Sequence, residues 1–298
     1  MNSLNIVMIG CVDFSLHMLK ELYANKKLNI VAIVTKAKSD FNSDFCSLKE
    51  FAVKNKIPFY ISTGKDETKI VKFLEKFNFE LGFCLGWSHM LSLAVLNLPK
   101  LDFVGYHPAK LPFNRGRHPV IWALVLGLKE TASTFFIMNK FADQGHILDQ
   151  RKVIISKNEN AETLYNKLIS ISKKQINSVT KSYLQNKVKF IIQNKKTGNK
   201  WRKRTKEDGI IDWRMPYESI NNLVRALYKP YTGAVSFYKN KDFVIWNIVK
   251  KKNAFSNIEP GKVLKVSNKY ITVKCGDSAV VIKKHTLKKL PKEGDYLF

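Results

Sequence analysis

Residues suited to proton transfer are concentrated between Gly105 and Leu148. His107 ends an apolar run and is followed by Pro, and an Arg-Gly-Arg turn comes at 115–117. Asp143 lies 36 residues after His107 and is followed by Gln and Gly. An imidazole and a carboxylate on two loops, each near a glycine that lets a ligand approach the backbone, are suited to handle a proton together.

Each of these two residues also has a simpler interpretation. His107 could be a loop histidine that is bonded to a backbone carbonyl. Asp143 could be a turn-forming aspartate beside Gly145, since aspartate favours such turns. The residue types alone leave both alternatives open.

The elements that must position this pair follow from the apolar runs. Short strand-like runs alternate with helical spacing from Asn5 onward, and they end at Gly10, Gly86 and His107. The alternation predicts an α/β fold class, with a Rossmann-like, mostly parallel sheet and helices on both faces. Ligands bind such sheets beyond the carboxyl ends of the strands. A short helix is predicted over 89–96.

The pattern changes near residue 190. Residues 194–209 form a polar, basic connector, and short alternating strands follow Pro230. Five short strands in so compact a tail predict a small OB-like barrel. We therefore predict one domain over residues 1–200 and a β-rich, OB-like domain over residues 201–298.

The charge balance is strongly basic. The chain has 298 residues, with 51 Lys and Arg against 24 Asp and Glu, and a formal net charge of +27. Such a charge suggests a nucleic-acid partner. Only seven of the basic residues are arginine, however, and nucleic-acid readers depend on arginine for bidentate contacts. Scattered, solvated lysines are therefore the favoured interpretation.

Several classes of site are disfavoured by missing motifs. No G-x-G-x-x-G follows the first strand, so NAD is disfavoured, and neither a Walker motif nor H-E-x-x-H occurs. The four cysteines form no C-x-x-C, which predicts neither a disulfide framework nor a metal site. We expect a reducing, cytoplasmic location with no targeting segment and no membrane span.

The loop motifs resemble those of the N10-formyltetrahydrofolate-dependent formyltransferases. The family motif is Asn-x-His-x-Ser-Leu-Leu-Pro, then an Arg-Gly turn, then Asp-x-Gly. This chain has Gly-Tyr-His-Pro-Ala-Lys-Leu-Pro at 105–112, Arg-Gly-Arg at 115–117 and Asp-Gln-Gly at 143–145. The segment Glu-Thr-Ala-Ser-Thr at 130–134 is similar to the one before the family's Asp loop.

The second half of the chain carries the resemblance further. Glu-Asp-Gly-Ile-Ile-Asp-Trp at 207–213, Asn-Leu-Val-Arg-Ala-Leu at 222–227 and Pro-Tyr-Thr-Gly-Ala at 230–234 resemble the enzyme that formylates UDP-4-amino-arabinose. The likeness covers nearly the whole chain. The resemblance implies that residues 1–200 are the formyltransferase catalytic domain.

The resemblance implies direct transfer of a formyl group from N10-formyltetrahydrofolate to a neutral amine. His107 would handle the proton and help stabilise the tetrahedral intermediate. Asp143 would orient or charge the imidazole and take up the amine proton. The folate would lie along a run of residues after the fourth strand and in the loop before Asp143. These candidate cofactor-binding residues are Gly86, Trp87, Ser88, His89, Met90, Leu91 and Ala142. Trp87 could equally belong to the core.

One position departs from the family pattern. The family's catalytic Asn, which is thought to hold the oxyanion formed during amine attack, lies two residues before the His, and this chain has Gly105 there. Loss of such a donor costs about a hundredfold or more in rate. Asn114 in the same loop is our candidate replacement. Backbone N–H groups, with Asn114 as a plain turn residue, are the alternative.

Five residues are candidates for substrate binding. Arg115 and Arg117 could bind a diphosphate or sugar, or could lie in a solvated turn. Asp13 could contact substrate or cap the first helix. Tyr228 and Tyr231 could stack on a base, or could pack between the domains.

Three functions follow from these observations. The favoured one is N-formylation of a UDP- or dTDP-linked amino sugar for surface polysaccharide, by an enzyme that could form a homodimer. Methionyl-tRNA formyltransferase is the alternative, and it is supported by the charge. Against it, the tRNA enzymes of the family carry an insertion after the second strand, where residues 36–48 are short. The third is an inactive folate-binding protein, suggested by Gly105.

Overall fold

The structure is a computed structural model that describes residues 3–39, 43–194, 196–251 and 257–298. Its strands are β1 (Leu4–Ile9), β2 (Leu28–Thr35), β3 (Phe59–Ile61), β4 (Leu81–Cys84), β5 (Asp102–His107), β6 (Arg115–Gly116), β7 (Glu130–Ile137), β8 (Ile147–Ile154), β9 (Lys200–Trp201), β10 (Ala234–Tyr238), β11 (Lys241–Lys251), β12 (Val263–Ser267), β13 (Tyr270–Lys274) and β14 (Ala279–His285). Its α-helices are α1 (Asp13–Ala24), α2 (Lys49–Lys54), α3 (Glu67–Leu74), α4 (Leu93–Leu96), α5 (Pro119–Val125), α6 (Ala161–Leu184) and α7 (Tyr217–Ala226).

The described residues divide into two compact units. The first consists of Met1–Pro119, Thr131–Ile154 and Asn166–Trp201. The second consists of Val120–Glu130, Ile155–Tyr165 and Arg202–Phe298. The domain boundary that we predict at residue 200 stays a prediction.

The first unit contains a seven-stranded sheet among the described residues, with the order β3-β2-β1-β4-β5-β7-β8. Strands β1 to β5 run parallel, and β7 is antiparallel to β5. The strand order reverses between β1 and β4, so their carboxyl ends define the crevice where such sheets bind ligands.

The composition of the strands explains their place in the sheet. Strand β4 is buried along its whole length and β1 is buried except at Asn5. Continuous apolar strands of this kind are buried on both faces of a parallel sheet. Helix α1 buries Phe14, Met18 and Leu22 at helical spacing on one side.

The second unit contains a five-stranded antiparallel sheet among the described residues, with the order β10-β11-β14-β13-β12. In β10, buried residues alternate with half-buried ones, as expected for a sheet that covers a core with one face. The predicted fold class is therefore confirmed: a mostly parallel sheet with helices, and a C-terminal antiparallel sheet. Closure of that sheet into an OB-like barrel stays a prediction.

The structure corrects two predicted elements. The helix predicted over 89–96 begins only at Leu93, after extended backbone at Ser92, so the preceding residues lie in a loop. The connector predicted over 194–209 contains strand β9, which pairs in parallel with β6. A two-residue strand has no sequence pattern of its own, since it depends on a partner elsewhere in the chain.

One carboxylate organises the turn between β3 and α3. Asp66 accepts hydrogen bonds from Ser62 Oγ at 2.5 Å, the Tyr60 hydroxyl at 2.6 Å and the Thr63 amide at 3.1 Å. Desolvation raises the pKa of Asp66, but the hydrogen bonds together outweigh it, and this pKa lies well below its usual range. The bond to Asp66 also raises the pKa of Tyr60 to about 12.

We expect Asp66→Asn to lower the free energy of unfolding by about 1 to 3 kcal/mol near neutral pH, because hydrogen bonds to an ionised group are lost. The depressed pKa means that this contribution is fully present above the unfolded aspartate pKa of about 3.9. It is lost as pH falls through the folded-state pKa. Urea unfolding at several pH values should show a constant difference between the two proteins above about pH 5 that narrows below about pH 4. A difference that persists unchanged in stronger acid would contradict the assignment.

Candidate active site

His107 lies at the carboxyl end of β5 with its side chain almost fully buried. The residue is 4% exposed, and its Nε2 atom is 2.7 Å from the carbonyl oxygen of Asn114. A carbonyl only accepts, so Nε2 carries a proton and donates it to this bond. The simpler interpretation, a histidine bonded to a backbone carbonyl, is therefore correct for Nε2, and it says nothing about Nδ1.

The other half of the ring faces Asp143. His107 Nδ1 lies 3.8 Å from Asp143 Oδ1, and the second carboxylate oxygen accepts a 2.9 Å hydrogen bond from the Gly116 amide. Asp143 has a φ of 57°, so it also forms the tight turn of the simpler interpretation. The structure thus brings the predicted pair together. At the same time, His107 Nε2 and Asp143 Oδ2 each form a hydrogen bond with a backbone group.

Apolar side chains fill the space beside Gly105. A Cβ at this position would lie 2.8 Å from Phe136 Cζ and 2.9 Å from Met138 Cγ. Phe136 packs with Leu111 and Ile147, and Met138 covers the same cluster. An asparagine would therefore clash here, so the departure from the family motif is built into the surrounding core.

Asn114 is held by both of its backbone groups. Its N–H donates to Asn199 Oδ1 at 2.8 Å, and its carbonyl accepts from His107 as described above. Its φ of 63° lies in the left-handed region, which asparagine tolerates better than most residues. The residue is thus a turn residue by its backbone, and its proposed role as a donor depends on the side-chain amide.

The candidate folate segment follows β4 at the same edge of the sheet. Cys84 is the Cα partner of Gly105 in the parallel pair β4–β5, so Gly86 and His107 lie equally far along neighbouring strands. Trp87 is half-buried and packs on the apolar core under the sheet edge. Both interpretations of Trp87, core and ligand contact, are compatible with this position.

A basic group lies beside the Trp87 ring. Lys36 Nζ is 2.9 Å from His89 Nε2 and 5.1 Å from the Trp87 ring centroid. Burial, and then the charges of Lys36, Arg117 and Lys65, lower the pKa of His89. The His89 ring is therefore a neutral acceptor for Lys36, which the sequence did not single out.

The remaining folate candidates vary in exposure. Ser88 and Ala142 are half-buried, Met90 is 52% exposed and Leu91 is buried. Leu91 contributes to the core rather than to an open surface.

The two arginines of the turn differ from each other. Arg115 is half-buried and its Nη2 donates to Gln193 Oε1 at 3.0 Å, while its buried Nε has no partner among the described residues. Arg117 is exposed. The solvated-turn interpretation therefore does not describe Arg115, and the proposed substrate contacts of both arginines stay predictions.

Asp13 does not cap the first helix. It is the first residue of α1, with Val12 at the N-cap position, and its carboxylate lies 3.5 Å from His17 Nε2. A carboxylate in a first turn still interacts favourably with the helix dipole. The proposed substrate contact of Asp13 stays a prediction.

Tyr228 and Tyr231 belong to the second unit. Both are half-buried, and Tyr228 packs edge-on against Trp246 at 6.0 Å between ring centroids. Their proposed stacking on a base stays a prediction.

Sequence reasoning missed Gln193 and Asn199. Asn199 lies in the polar connector and Gln193 directly precedes it, where composition gave no signal, and both bond to the site loops. The pairing of β6 with β9 brings Asn199 to the site.

Two surveys of the described residues complete the site. Across 3–39, 43–194, 196–251 and 257–298, His, Cys, Asp and Glu form no group of three or more that could hold a metal ion. Within the same ranges, no helix combines the length and apolarity needed to cross a membrane.

Comparison with protein families agrees with this fold and site. A formyl transferase model matches residues 4–180, and a model of the formyl transferase C-terminal domain matches residues 203–293. The chain belongs to the formyltransferase family and is an N-formyltransferase, and this family uses N10-formyltetrahydrofolate as its formyl donor. The predicted family resemblance is confirmed.

Curated relatives include two kinds of formyltransferase. The chain is 33% identical over 231 residues to the bifunctional polymyxin resistance protein ArnA of Wigglesworthia glossinidia brevipalpis, a match that covers 77% of the chain and 35% of that protein. It is 30% identical over 284 residues to a methionyl-tRNA formyltransferase of Caldanaerobacter subterraneus subsp. tengcongensis, covering 94% of the chain and 91% of that protein.

Solved structures share the fold. One is WlaRD, a sugar 3N-formyltransferase crystallised with dTDP and 5-N-formyl-THF, with a TM-score of 0.71, 18% identity and coverage of 96% and 98% of the two chains. Another is an N-formyltransferase from Helicobacter canadensis in complex with folinic acid and dTDP-3-aminofucose, with a TM-score of 0.71, 16% identity and coverage of 94% and 99%.

We expect Gly105→Asn to destabilise the chain by about 1 to 3 kcal/mol and to leave turnover no higher, because the new side chain overpacks Phe136 and Met138. Urea unfolding and an activity assay measure the two effects. Gly209→Asn is the matched control, since a Cβ there would meet only Leu227 Cδ1 at 3.5 Å. Wild-type stability of the Gly105 variant would show that the site has room for the family's asparagine.

Proposed function

We propose that this chain transfers a formyl group from N10-formyltetrahydrofolate to the amine of a nucleotide-linked amino sugar, with UDP or dTDP as the nucleotide, for surface polysaccharide biosynthesis. The observation that carries the proposal is the approach of His107 Nδ1 to Asp143 Oδ1 at 3.8 Å, at the carboxyl edge of the sheet. The loop after β4 lies beside it.

We propose that the loop after β4 binds the pterin ring of the donor. The backbone N–H groups of Trp87, His89 and Met90 donate to no acceptor among the described residues. Free backbone donors at a half-buried loop match the hydrogen-bonding edge of a pterin. We propose that Gly86 to Met90 and Ala142 hold the donor, which supplies an activated formyl carbon when bound. Leu91 is buried in the core and is left out of this set.

The proton has a defined acceptor in the protein. Nε2 of His107 donates to Asn114, so the neutral ring presents Nδ1 as its basic atom. The proton that the attacking amine loses would pass to Nδ1, and the Asp143 carboxylate would stabilise the resulting imidazolium. His107 would then return this proton to the nitrogen that releases the formyl group, so the proton count balances.

The negative charge that develops on the formyl oxygen needs a donor other than residue 105. Both backbone groups of Asn114 are already bonded, so its side-chain amide is the group that could supply a hydrogen bond. A donor of this kind lowers the barrier by about 3 to 4 kcal/mol in other acyl transfers. We propose Asn114 for this role.

The acceptor sugar is supported by comparison and by charge. WlaRD and the Helicobacter canadensis enzyme share the fold and were solved with dTDP or a dTDP-sugar. Arg115 and Arg117 are suited to bind a diphosphate, because guanidinium groups bond phosphate oxygens in pairs. We propose them, with Asp13, as substrate contacts.

Methionyl-tRNA formyltransferase is the second candidate. A curated relative with that name matches 94% of the chain and is itself covered over 91% of its length. The net charge of +27 also suits a tRNA. The third function considered from the sequence, an inactive folate-binding protein, is disfavoured, because His107 and Asp143 are both present and lie next to each other.

An acceptor panel separates these candidates. We expect formyl-donor consumption with at least one UDP- or dTDP-amino sugar, and kcat/KM at least about a hundredfold lower with initiator methionyl-tRNA, because binding sites discriminate strongly when polar contacts are lost. Product masses confirm the formylated amine. A preference for the tRNA would overturn the sugar assignment, and folate binding without any turnover would support the inactive protein.

We expect His107→Ala and Asp143→Asn each to lower kcat by about 10² to 10⁴-fold while the chain still folds, because each removes a group that handles the proton. Steady-state kinetics and circular dichroism measure the two properties. His285→Ala is the matched control, because His285 Nε2 also bonds a backbone carbonyl, that of Lys269 at 2.9 Å. A near-wild-type rate in either the His107 or the Asp143 variant would overturn the mechanism.

A further inference from the structure

A buried glutamine lies outside both family matches. The matched ranges are 4–180 and 203–293, so Gln193 falls in the segment between them. It is 4% exposed. A buried amide costs free energy unless its donors and acceptor are all bonded.

The Gln193 amide bonds the loop that carries Asp143. Its Nε2 donates to the carbonyl of Asp143 at 2.9 Å and to the carbonyl of Gly145 at 2.7 Å. Its Oε1 accepts from Arg115 Nη2 at 3.0 Å. Both amide hydrogens and the amide oxygen are therefore used.

Further hydrogen bonds hold the second loop of the site, the turn at residues 115–117. The Gly116 amide next to Arg115 donates to the Asp143 carboxylate. The Arg115 and Arg117 amides donate to the carbonyls of Asn199 and Trp201, both at 3.2 Å. Gln193 thus connects the Asp143 loop to a turn that the connector already holds.

The Asp143 loop has an unfavourable backbone conformation. Asp143 has a φ of 57°, in a region that is costly for most residues. A Cβ on Gly145 would lie 1.5 Å from the carbonyl oxygen of Ile137, so only glycine fits there. A loop with such a conformation persists only when its surroundings hold it.

We propose that Gln193 is a positioning residue that holds the Asp143 carboxylate against His107 through the backbone carbonyls of Asp143 and Gly145. The inference rests on the proposed function, because it assigns Gln193 a part in formyl transfer. It adds a residue from the segment between the two family matches to a site built from two loops of the first unit.

The test compares Gln193→Met with Gln175→Met. Gln175 is fully buried, and its Nε2 donates to the Ser133 carbonyl at 3.0 Å and to Asp149 Oδ1 at 2.9 Å, so its donors match those of Gln193 away from the Asp143 loop. Its Oε1 has no partner among the described residues, unlike that of Gln193. We expect both variants to lose stability. Only Gln193→Met should lower kcat, by about ten- to a hundredfold, with KM for the formyl donor unchanged, because a small misplacement of a catalytic group costs that much.

A double-mutant cycle isolates the route through Asp143. Gln193→Met should have almost no further effect on kcat in the Asp143→Asn background, because the carboxylate that it positions is already lost. An equal drop in both backgrounds would overturn the proposal and leave Gln193 a purely structural role. If Gln193→Met does not fold, Gln193→Glu keeps the acceptor for Arg115 and removes both donors.

A spectroscopic measurement decides the inference even if the proposed function fails. In a ¹⁵N-histidine-labelled chain, the His107 resonances are assigned by their loss in His107→Ala. They should shift in Gln193→Met and stay in place in Gln175→Met, because only the first variant moves Asp143. Unshifted resonances would overturn the proposal, whereas absent turnover with shifted resonances would refute the proposed function alone.

Discussion

The approach of one imidazole to one carboxylate is the constraint on which the site depends. His107 is buried at the end of its strand and its ring is bonded to the Asn114 carbonyl, which restricts its movement toward a partner. Asp143 must therefore be brought to it by a loop of unfavourable backbone conformation. Electrostatic stabilisation falls with distance in a low-dielectric site, so the bonds that hold this loop matter as much as the two groups themselves.

The substitution at Gly105 changes how the charge of the reaction can be stabilised. The space of the missing side chain belongs to Phe136 and Met138, which complete a small apolar cluster under the loop. Glycine at position 105 is therefore the residue that this packing of Phe136 and Met138 accommodates. The family membership of the chain and the loss of the family's asparagine are compatible if the donor has moved to another part of the same loop, as we propose for Asn114.

Much of the architecture could be predicted because its signals are local. The alternation of strands and helices in the first half and the short strands after Pro230 were predicted correctly, since continuous or alternating apolar runs mark buried strands. The helix predicted over 89–96 was wrong around His89, because apolar residues there pack on the core from a loop instead of a helix. The pairing of β6 with β9 was not predicted, because a two-residue strand carries no periodicity.

The sequence by itself determined the family, the fold class and the identity of the paired groups, because motif residues and apolar periods are written in the order of the chain. Tertiary structure decided what each group can do. In the folded chain, His107 Nε2 bonds a backbone carbonyl and Nδ1 faces Asp143. Apolar side chains fill the space at Gly105, and Gln193 bonds the Asp143 loop. These outcomes depend on contacts between residues far apart in the chain, which no local pattern encodes.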